Sequence, residues 1–245
     1  MLFRSISGLD EITWQLNEMF SRRMARITKD QWDEIPITWE LIELIRERLN
    51  RVRIEDEFDV LKLSTCIYKM KGRLETRYGD LAVIVRIKFR DGRDLTGVAL
   101  YEAKKRKWGT STLASIVRGQ LDRIYRNSWQ ARLLIYDYEG TPVRSACAPA
   151  GTLSFVHAMH LAYPVELKML DTSLYRFAAP FAFQLCRNLH GIDIDLDGGI
   201  VEQVRSGAVD RGAPTFVVAV VVVHGDGVDA DATEIEVNKE VYEPQ

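Results

Sequence analysis

Hydrophobic and polar positions along the chain alternate with periods that predict both helices and strands. Apolar residues recur three or four positions apart over residues 9–26, which predicts an amphipathic helix. Thr38, shortly after Pro36, is a candidate N-cap for a second helix that continues to about Asn50. Five apolar or alternating segments predict strands, at residues 59–68, 80–89, 95–103, 131–136 and 215–223.

Turn and helix signals indicate how these strands connect. Asp91 and Gly92 separate the second strand from the third and are a strong hairpin signal. A helix is predicted over about 110–126, and weaker helical periodicity covers 151–162 and 173–189. The order helix, three strands, helix, strand predicts an α/β fold in which helices flank a mixed central sheet.

The length of the chain favours one domain with appendages, because 245 residues are many for one compact domain and few for two. We divide it into an N-terminal helical extension at 1–35, a core at 36–140 and a C-terminal α/β region at 141–245 that completes the sheet. The acidic end, 226–245, is predicted to be mobile or to form an edge element.

Charge is distributed unevenly between the two parts of the chain. The net charge is −2, but residues 1–150 carry an excess of +6 and residues 151–245 carry −8. The basic part suits a polyanion, and the acidic part is a candidate docking surface for a protein partner. Two solvated surfaces of opposite sign explain the same distribution equally well.

Targeting signals are weak. The first residues lack the basic and apolar pattern of a secretory signal, and the longest apolar run, at 216–223, is too short to span a membrane. The three cysteines are odd in number and far apart, which argues against a disulfide framework or a cysteine-rich zinc site. We therefore expect a cytoplasmic protein that does not enter a membrane.

Candidate chemistry lies at the ends of the predicted hairpin. Asp80 begins one strand, and Glu102 and Lys104 lie two residues apart near the end of its partner, on one face. Two carboxylates can hold a hard divalent cation, with the ammonium beside a bound water. This requires a three-residue loop from Asp91 to Arg93, which sets Asp80 opposite Lys104, because a two-residue loop turns Asp80 to the wrong face.

At these residues the chain resembles the PD-(D/E)XK nuclease superfamily. Gly79 and Asp80 stand where that family ends its first motif, with glycine in place of the usual proline, and Glu102-Ala103-Lys104 matches the second motif. The family core is a helix, a three-strand meander, a helix and a strand, in the order predicted for residues 38–137. The resemblance covers about 100 of the 245 residues.

The resemblance implies a nuclease that depends on Mg²⁺, with Mn²⁺ as a substitute. Asp80, Glu102 and the carbonyl of Ala103 would hold the ion, and Lys104 would orient or help deprotonate the attacking water. The implied substrate is DNA, in bacterial restriction or anti-phage defence. An RNA substrate remains an alternative, as does a catalytically inactive scaffold of the same fold that binds nucleic acid or protein. A homo-oligomer is also left open.

Two further polar residues match exonuclease branches of the superfamily. Those branches use a glutamate in the first helix and a glutamine in the second, where this chain has Glu40 and Gln120. Gln120 falls on the apolar face of its predicted helix and therefore needs a polar partner, although a bond to backbone would satisfy it equally well. The helix dipole alone also explains an acid at Glu40.

Basic residues after the second motif are candidates for sequence-independent contacts to phosphates. They are Lys105, Arg106, Lys107, Arg118, Arg123 and Arg126.

Two other patterns are weaker. The segment 193–198 resembles the start of a calcium loop, but Val204 occupies the position of the final glutamate, so a tight acidic turn is the better interpretation. His157 and His160 lie three apart without an evident acidic or cysteine partner, which favours an ordinary structural role.

Overall fold

The computed structural model describes residues 4–6, 8–55, 59–71, 79–114, 118–138, 156–160, 171–207 and 213–245. The helices in these residues are α1 (Leu9–Met24), α2 (Glu34–Leu49), α3 (Arg118–Asn127), α4 (Phe181–Leu189) and α5 (Gly198–Ser206). The strands are β1 (Arg4–Ile6), β2 (Val52–Glu55), β3 (Val60–Met70), β4 (Leu81–Lys88), β5 (Asp94–Lys105), β6 (Arg132–Tyr136), β7 (Val156–His160), β8 (Ala179–Pro180), β9 (Phe216–His224) and β10 (Tyr242–Pro244).

These strands form one mixed sheet in the order β1-β2-β3-β9-β4-β5-β6-β7-β8, and β10 pairs with β3. The valine-rich β9 lies near the centre, parallel to β4 and antiparallel to β3. Its residues are almost all buried, which suits a strand covered on both faces. The fold is therefore the predicted mixed α/β arrangement with helices on the sheet.

The predicted three-strand meander is wrong at its first step, because β9 separates β3 from β4. Pairing between strands that are distant in sequence leaves no local signal, so periodicity identified β9 as a central strand without showing its neighbours. The C-terminal region thus supplies a strand to the middle of the sheet.

Helices cover both faces of the sheet. Apolar residues of α1, α2 and α4 pack on one face, and residues of α3, α5 and the segment 230–242 pack on the other. Within the described ranges, no helix combines the length and the apolar content needed to cross a bilayer.

Several C-terminal predictions need correction. Residues 156–160 form β7 instead of part of a helix, because pairing with β6 outweighs their weak helical periodicity. In 173–189 only α4 is α-helical, after a short 3₁₀ segment and β8. The acidic end forms an edge element, one of the two predicted possibilities, because β10 pairs with β3, and it also buries Ala232 and Tyr242 in the core. The helix predicted over 110–126 begins, within the described residues, only at Arg118.

Helix α2 begins one turn earlier than predicted. Asp33 is its N-cap, and the Asp33 side chain accepts a hydrogen bond from the Glu34 N–H at 2.9 Å. Pro36 fits inside the first turn, where its missing N–H has no partner to lose. Thr38 lies within the helix and donates to the Glu34 carbonyl at 2.7 Å. Glu34 therefore occupies the first turn of α2.

Candidate active site at the end of the central hairpin

The hairpin between β4 and β5 closes through a three-residue loop. The Phe89 N–H donates to the Arg93 carbonyl at 2.9 Å, which leaves residues 90–92 as the loop. Gly92 has φ +84°, a left-handed conformation that glycine adopts readily. The loop has the length that the sequence requires, but it lies one position earlier than predicted.

This loop sets the register of the residues at the other end of the hairpin. Leu81 pairs with Tyr101, so the preceding residue, Asp80, lies opposite Glu102 on the partner strand, whereas the sequence predicted Lys104 at that place. The register differs from the predicted one by two residues, which preserves the face of the sheet. Asp80, Glu102 and Lys104 consequently lie on the same face.

Gly79 explains why the chain can bring Asp80 so close to β5. Gly79 has φ +82°, and a Cβ at this position would lie 2.4 Å from the Tyr101 carbonyl oxygen. The next residue, Asp80, donates its N–H to that same oxygen at 2.8 Å. Proline is fixed near φ −65° and cannot adopt this conformation. Glycine at position 79 therefore has a local structural reason that proline could not satisfy.

The two carboxyl groups differ in how they are held. Asp80 Oδ2 accepts the Ala103 N–H at 2.8 Å. Glu102 is fully buried, and its Oε1 accepts a hydrogen bond from Lys104 Nζ at 2.6 Å. Glu102 Oε2 has no hydrogen-bond donor in the part of the chain that the structure describes. The Glu102 carboxyl group is close enough to Asp80 to lower the pKa of Asp80 through a side-chain hydrogen bond.

Glu34 brings a third carboxyl group from the start of α2. Its Oε2 lies 3.9 Å from Lys104 Nζ, and its Oε1 accepts the Lys105 N–H at 3.2 Å. Three carboxyl groups thus surround the Lys104 ammonium, which is itself almost fully buried. Carboxyl groups therefore outnumber the ammonium group that they surround.

Burial and mutual repulsion shift the ionisation of this group. Burial, together with the charge of Asp80, raises the pKa of Glu102 to about 8. Burial raises the pKa of Asp80 as well, although Lys104 and the Ala103 N–H oppose the rise. Burial likewise raises the pKa of Glu34. It acts to lower the pKa of Lys104, but the surrounding carboxylates outweigh burial and raise that pKa.

The donor set limits which metal site could form here. Among the described residues, no group of three or more histidine, cysteine, aspartate or glutamate side chains is arranged to hold an ion. Mg²⁺ does not need such a cage, because it commonly binds through one or two carboxylates and keeps several waters. Asp80 and the orphaned Oε2 of Glu102 are compatible with that mode. Ala103 contributes an observed N–H contact, and a role for its carbonyl stays a prediction.

The structure does not bring Glu40 to this site. Its carboxylate pairs with Arg23 at 2.7 Å, on the side of α2 that faces α1, and remains partly exposed. The error follows from placing the N-cap at Thr38, which moved the first turn to Glu40. Asp33, as an N-cap followed by Pro36 in the first turn, was the signal that identifies Glu34 instead. The side chain of Gln120 lies outside the described residues.

The predicted phosphate contacts divide into two groups. Lys105 Nζ is bound by Asp33 at 2.8 Å and by the Trp32 carbonyl at 2.7 Å. Arg106 pairs with the buried carboxylate of Asp137 at 3.2 Å. The charges of Lys105 and Arg106 therefore already have partners within the protein.

Three of the remaining basic residues are exposed: Lys107, Arg123 and Arg126. Arg126 also forms an ion pair with Asp122 on α3, and the side chain of Arg118 lies outside the described residues.

The acidic segment 193–198 is a structural turn. Asp193 pairs with Arg187 at 2.7 Å, and Asp195 accepts a hydrogen bond from Ser128 at 2.8 Å. Asp197 caps α5. Each carboxylate thus has a partner within the chain, as expected for a tight acidic turn. The side chains of the two candidate histidines in β7 lie outside the described residues.

Comparisons with protein-family models, with curated proteins and with solved structures found no match for this chain.

Proposed function

We propose that this protein is a Mg²⁺-dependent nuclease of the PD-(D/E)XK type that hydrolyses phosphodiester bonds of DNA. The observation that carries the proposal is the orphaned Oε2 of Glu102, fully buried beside a second carboxyl group. A buried carboxylate that shares one ammonium with neighbouring carboxyl groups is costly to ionise, and a proton or a bound cation lowers that cost. Such strongly shifted groups are typical of functional sites.

Asp80 and Glu102 would hold the ion, which when bound supplies positive charge to the scissile phosphate and lowers the pKa of a water. The Ala103 N–H fixes the orientation of Asp80. Lys104 is protonated at neutral pH because its pKa is raised. This favours orienting the attacking water and offsetting negative charge over acting as a base. Glu34 helps to hold the Lys104 ammonium in place.

Residues outside the candidate active site bear on how the proposed enzyme would bind DNA and protein partners. Lys107, Arg123 and Arg126 are the exposed residues that would contact DNA phosphates. A role in restriction or anti-phage defence, and a cytoplasmic location, rest on the sequence alone. The acidic C-terminal region remains the candidate surface for a protein partner.

The test is the incubation of purified protein with supercoiled plasmid in Mg²⁺ or Mn²⁺. We expect nicked and linear products that disappear with EDTA and with Asp80→Asn. Asp94→Asn, at the opposite end of the same hairpin, is the matched control and should cleave like the wild type. Failure to cleave in either metal, or cleavage that survives EDTA, would contradict the proposal. A parallel assay with labelled RNA tests the RNA alternative, which predicts that RNA is cleaved in preference to DNA.

A catalytically inactive scaffold of the same fold is the second candidate. It is favoured by the internal pairing of Lys105 and Arg106, which leaves fewer free charges for DNA near the site. Under this alternative, Glu102→Gln would leave the binding function unchanged, and the plasmid would stay intact with every metal.

A further inference from the structure

Three aromatic side chains that the sequence leaves far apart meet beside the candidate active site. The rings of Trp108 and Tyr138 are stacked, with centroids 4.2 Å apart and planes 18° from parallel. Trp32 packs edge-on against both, at 6.0 Å from Trp108 and 5.6 Å from Tyr138. We call this group the aromatic stack.

One end of the aromatic stack is fixed by the protein. The Arg106 guanidinium lies over the Tyr138 ring, 5.0 Å from its centroid, and is itself held by the buried Asp137. The Tyr138 hydroxyl also accepts the Gly109 N–H at 2.6 Å. Tyr138 is therefore held by Arg106 and Trp108 at its ring and by Gly109 at its hydroxyl.

Trp108 is the more exposed end of the stack. It stays 38% exposed although Tyr138 stacks on one of its faces and Trp32 packs against it with ring planes 71° apart. A large aromatic face that is held rigidly from behind can stack on another ring with little loss of conformational freedom.

The stack adjoins the candidate active site through the same segments that build it. Trp108 follows Lys104 by four residues, a separation that an extended chain spans in at most about 14 Å. Trp32 precedes Glu34 by two residues, and its ring N–H donates to the Arg106 carbonyl at 2.8 Å. A polymer bound at Lys104 would thus pass within reach of Trp108.

We propose that the outer face of Trp108 receives an unpaired nucleobase, so that the substrate is single-stranded or frayed DNA. This deepens the proposed function and rests on it. A base inside a duplex is already stacked on both sides, so an interior base must leave the duplex before it can stack on the ring. Every base has a π-face, which makes such a contact tolerant of sequence. Lys107, exposed beside Trp108, offers charge to the adjoining phosphate.

The test compares the binding of two oligonucleotides by fluorescence anisotropy in Ca²⁺, which suppresses turnover. One is a short oligothymidine, and the other is an abasic strand with the same number of phosphates. Wild-type protein should bind the oligothymidine more tightly by a factor of about 5 to 150, the range for one stacked base. Trp108→Ala should remove this preference, and Trp108→Phe should restore most of it.

Trp14→Ala is the matched control, because Trp14 is a 46% exposed tryptophan on α1 that is not part of the aromatic stack. It should keep the wild-type preference. Equal binding of the two strands by wild-type protein would overturn the proposal, whatever happens to the folding of the variants. Retention of the preference in Trp108→Ala would overturn it as well.

The plasmid assay separates this proposal from the proposed function. Cleavage without any preference for bases would remove the stacking site and leave the nuclease. The protein could also prefer bases, lose that preference in Trp108→Ala, and fail to cleave the plasmid in Mg²⁺ and in Mn²⁺. That result would support the stacking site and contradict the nuclease.

Discussion

The two ends of the β4–β5 hairpin carry opposite arrangements of charge. At the loop end, Arg86 pairs with Asp94, Lys88 with Glu234 and Arg93 with Asp91. Each carboxylate there has its own cation, and the pairs are open to solvent. Hydrogen bonds from Arg93 lower the pKa of Asp91.

At the other end, Glu34, Asp80 and Glu102 lie around the ammonium of Lys104, and the pKa of Glu102 is raised to about 8. Exposed ion pairs contribute about 0–1 kcal/mol and need no function to explain them. An excess of acid around a buried carboxylate lowers stability, and such a cost is typical of functional sites, which supports the proposed site at the Glu102 end.

The largest expected contrast between the two ends is in catalysis. Glu102→Gln and Lys104→Ala should each lower the cleavage rate by at least about 100-fold, because both act on the charge that develops in the transition state. Asp94→Asn should stay within about twofold of the wild type, since exposed pairs contribute little. Single-turnover cleavage measures the rates, and DNA binding in Ca²⁺ shows whether Lys104→Ala still binds. Parallel loss of binding and cleavage would make these residues structural.

Two glycines with similar backbones sharpen the contrast in stability. Gly79 and Gly92 both have φ above +80°, so alanine should cost about 1–2 kcal/mol at either position. A Cβ at Gly92 meets no atom within 4 Å, whereas at Gly79 it meets the Tyr101 carbonyl. We expect about 1–3 kcal/mol more at Gly79 from overpacking.

Urea unfolding of Gly79→Ala and Gly92→Ala measures the two free energies. Gly79→Ala should also slow cleavage, because it displaces Asp80, while Gly92→Ala should not. Equal stability and equal activity of the two variants would show that the close approach at Gly79 is unimportant.

Two glutamates on α2 provide a matched pair for the third carboxyl group. Glu34→Gln should slow cleavage about 10- to 100-fold, the equivalent of one hydrogen bond or ion pair to a charged group. Glu40→Gln should change cleavage less than about twofold, because Glu40 pairs with Arg23 instead. Initial rates at saturating Mg²⁺ compare them. The opposite ranking would restore Glu40 as the site residue.

The smallest expected effect is on the pH dependence of stability. Glu102 has a folded pKa of about 8, above its unfolded value, so the folded state holds the extra proton across the interval between them. Stability without metal must therefore fall as pH rises through this interval, by about 2 kcal/mol from pH 6 to pH 8.

Unfolding in EDTA at a series of pH values measures this fall, and Glu102→Gln should flatten it. Asp91→Asn, at the loop end, should leave the slope between pH 6 and pH 8 unchanged. A wild-type curve that rises over this interval would mean that Glu102 is ionised without metal.

Local signals in the sequence predicted those features that depend on neighbouring residues. The sequence predicted the periodicity of α1, the hairpin with its three-residue loop and the apolar strand β9, because each depends on side chains a few positions apart. Asp80, Glu102 and Lys104 could be grouped for the same reason, since one hairpin positions all three.

Features that depend on residues distant in the sequence could not be predicted from it. The position of β9 between β3 and β4 depends on pairing between residues that are far apart in the sequence. The contact between Trp108 and Tyr138 likewise depends on the pairing of β5 with β6. Glu34 was missed through an error of one turn in the start of α2. The pKa of Glu102 could not be inferred either, because it depends on burial that only the folded sheet creates.

We propose that Asp80 and Glu102 together bind one divalent cation. Crystals soaked in Mn²⁺ and measured at its absorption edge test it directly, because the anomalous signal locates the ion without assumptions about activity. We predict a peak between Asp80 and Glu102 Oε2, at about the 2.1 Å distance typical of Mg²⁺ sites, and no such peak in Glu102→Gln crystals. Wild-type crystals with no anomalous peak between these two carboxylates would contradict the account.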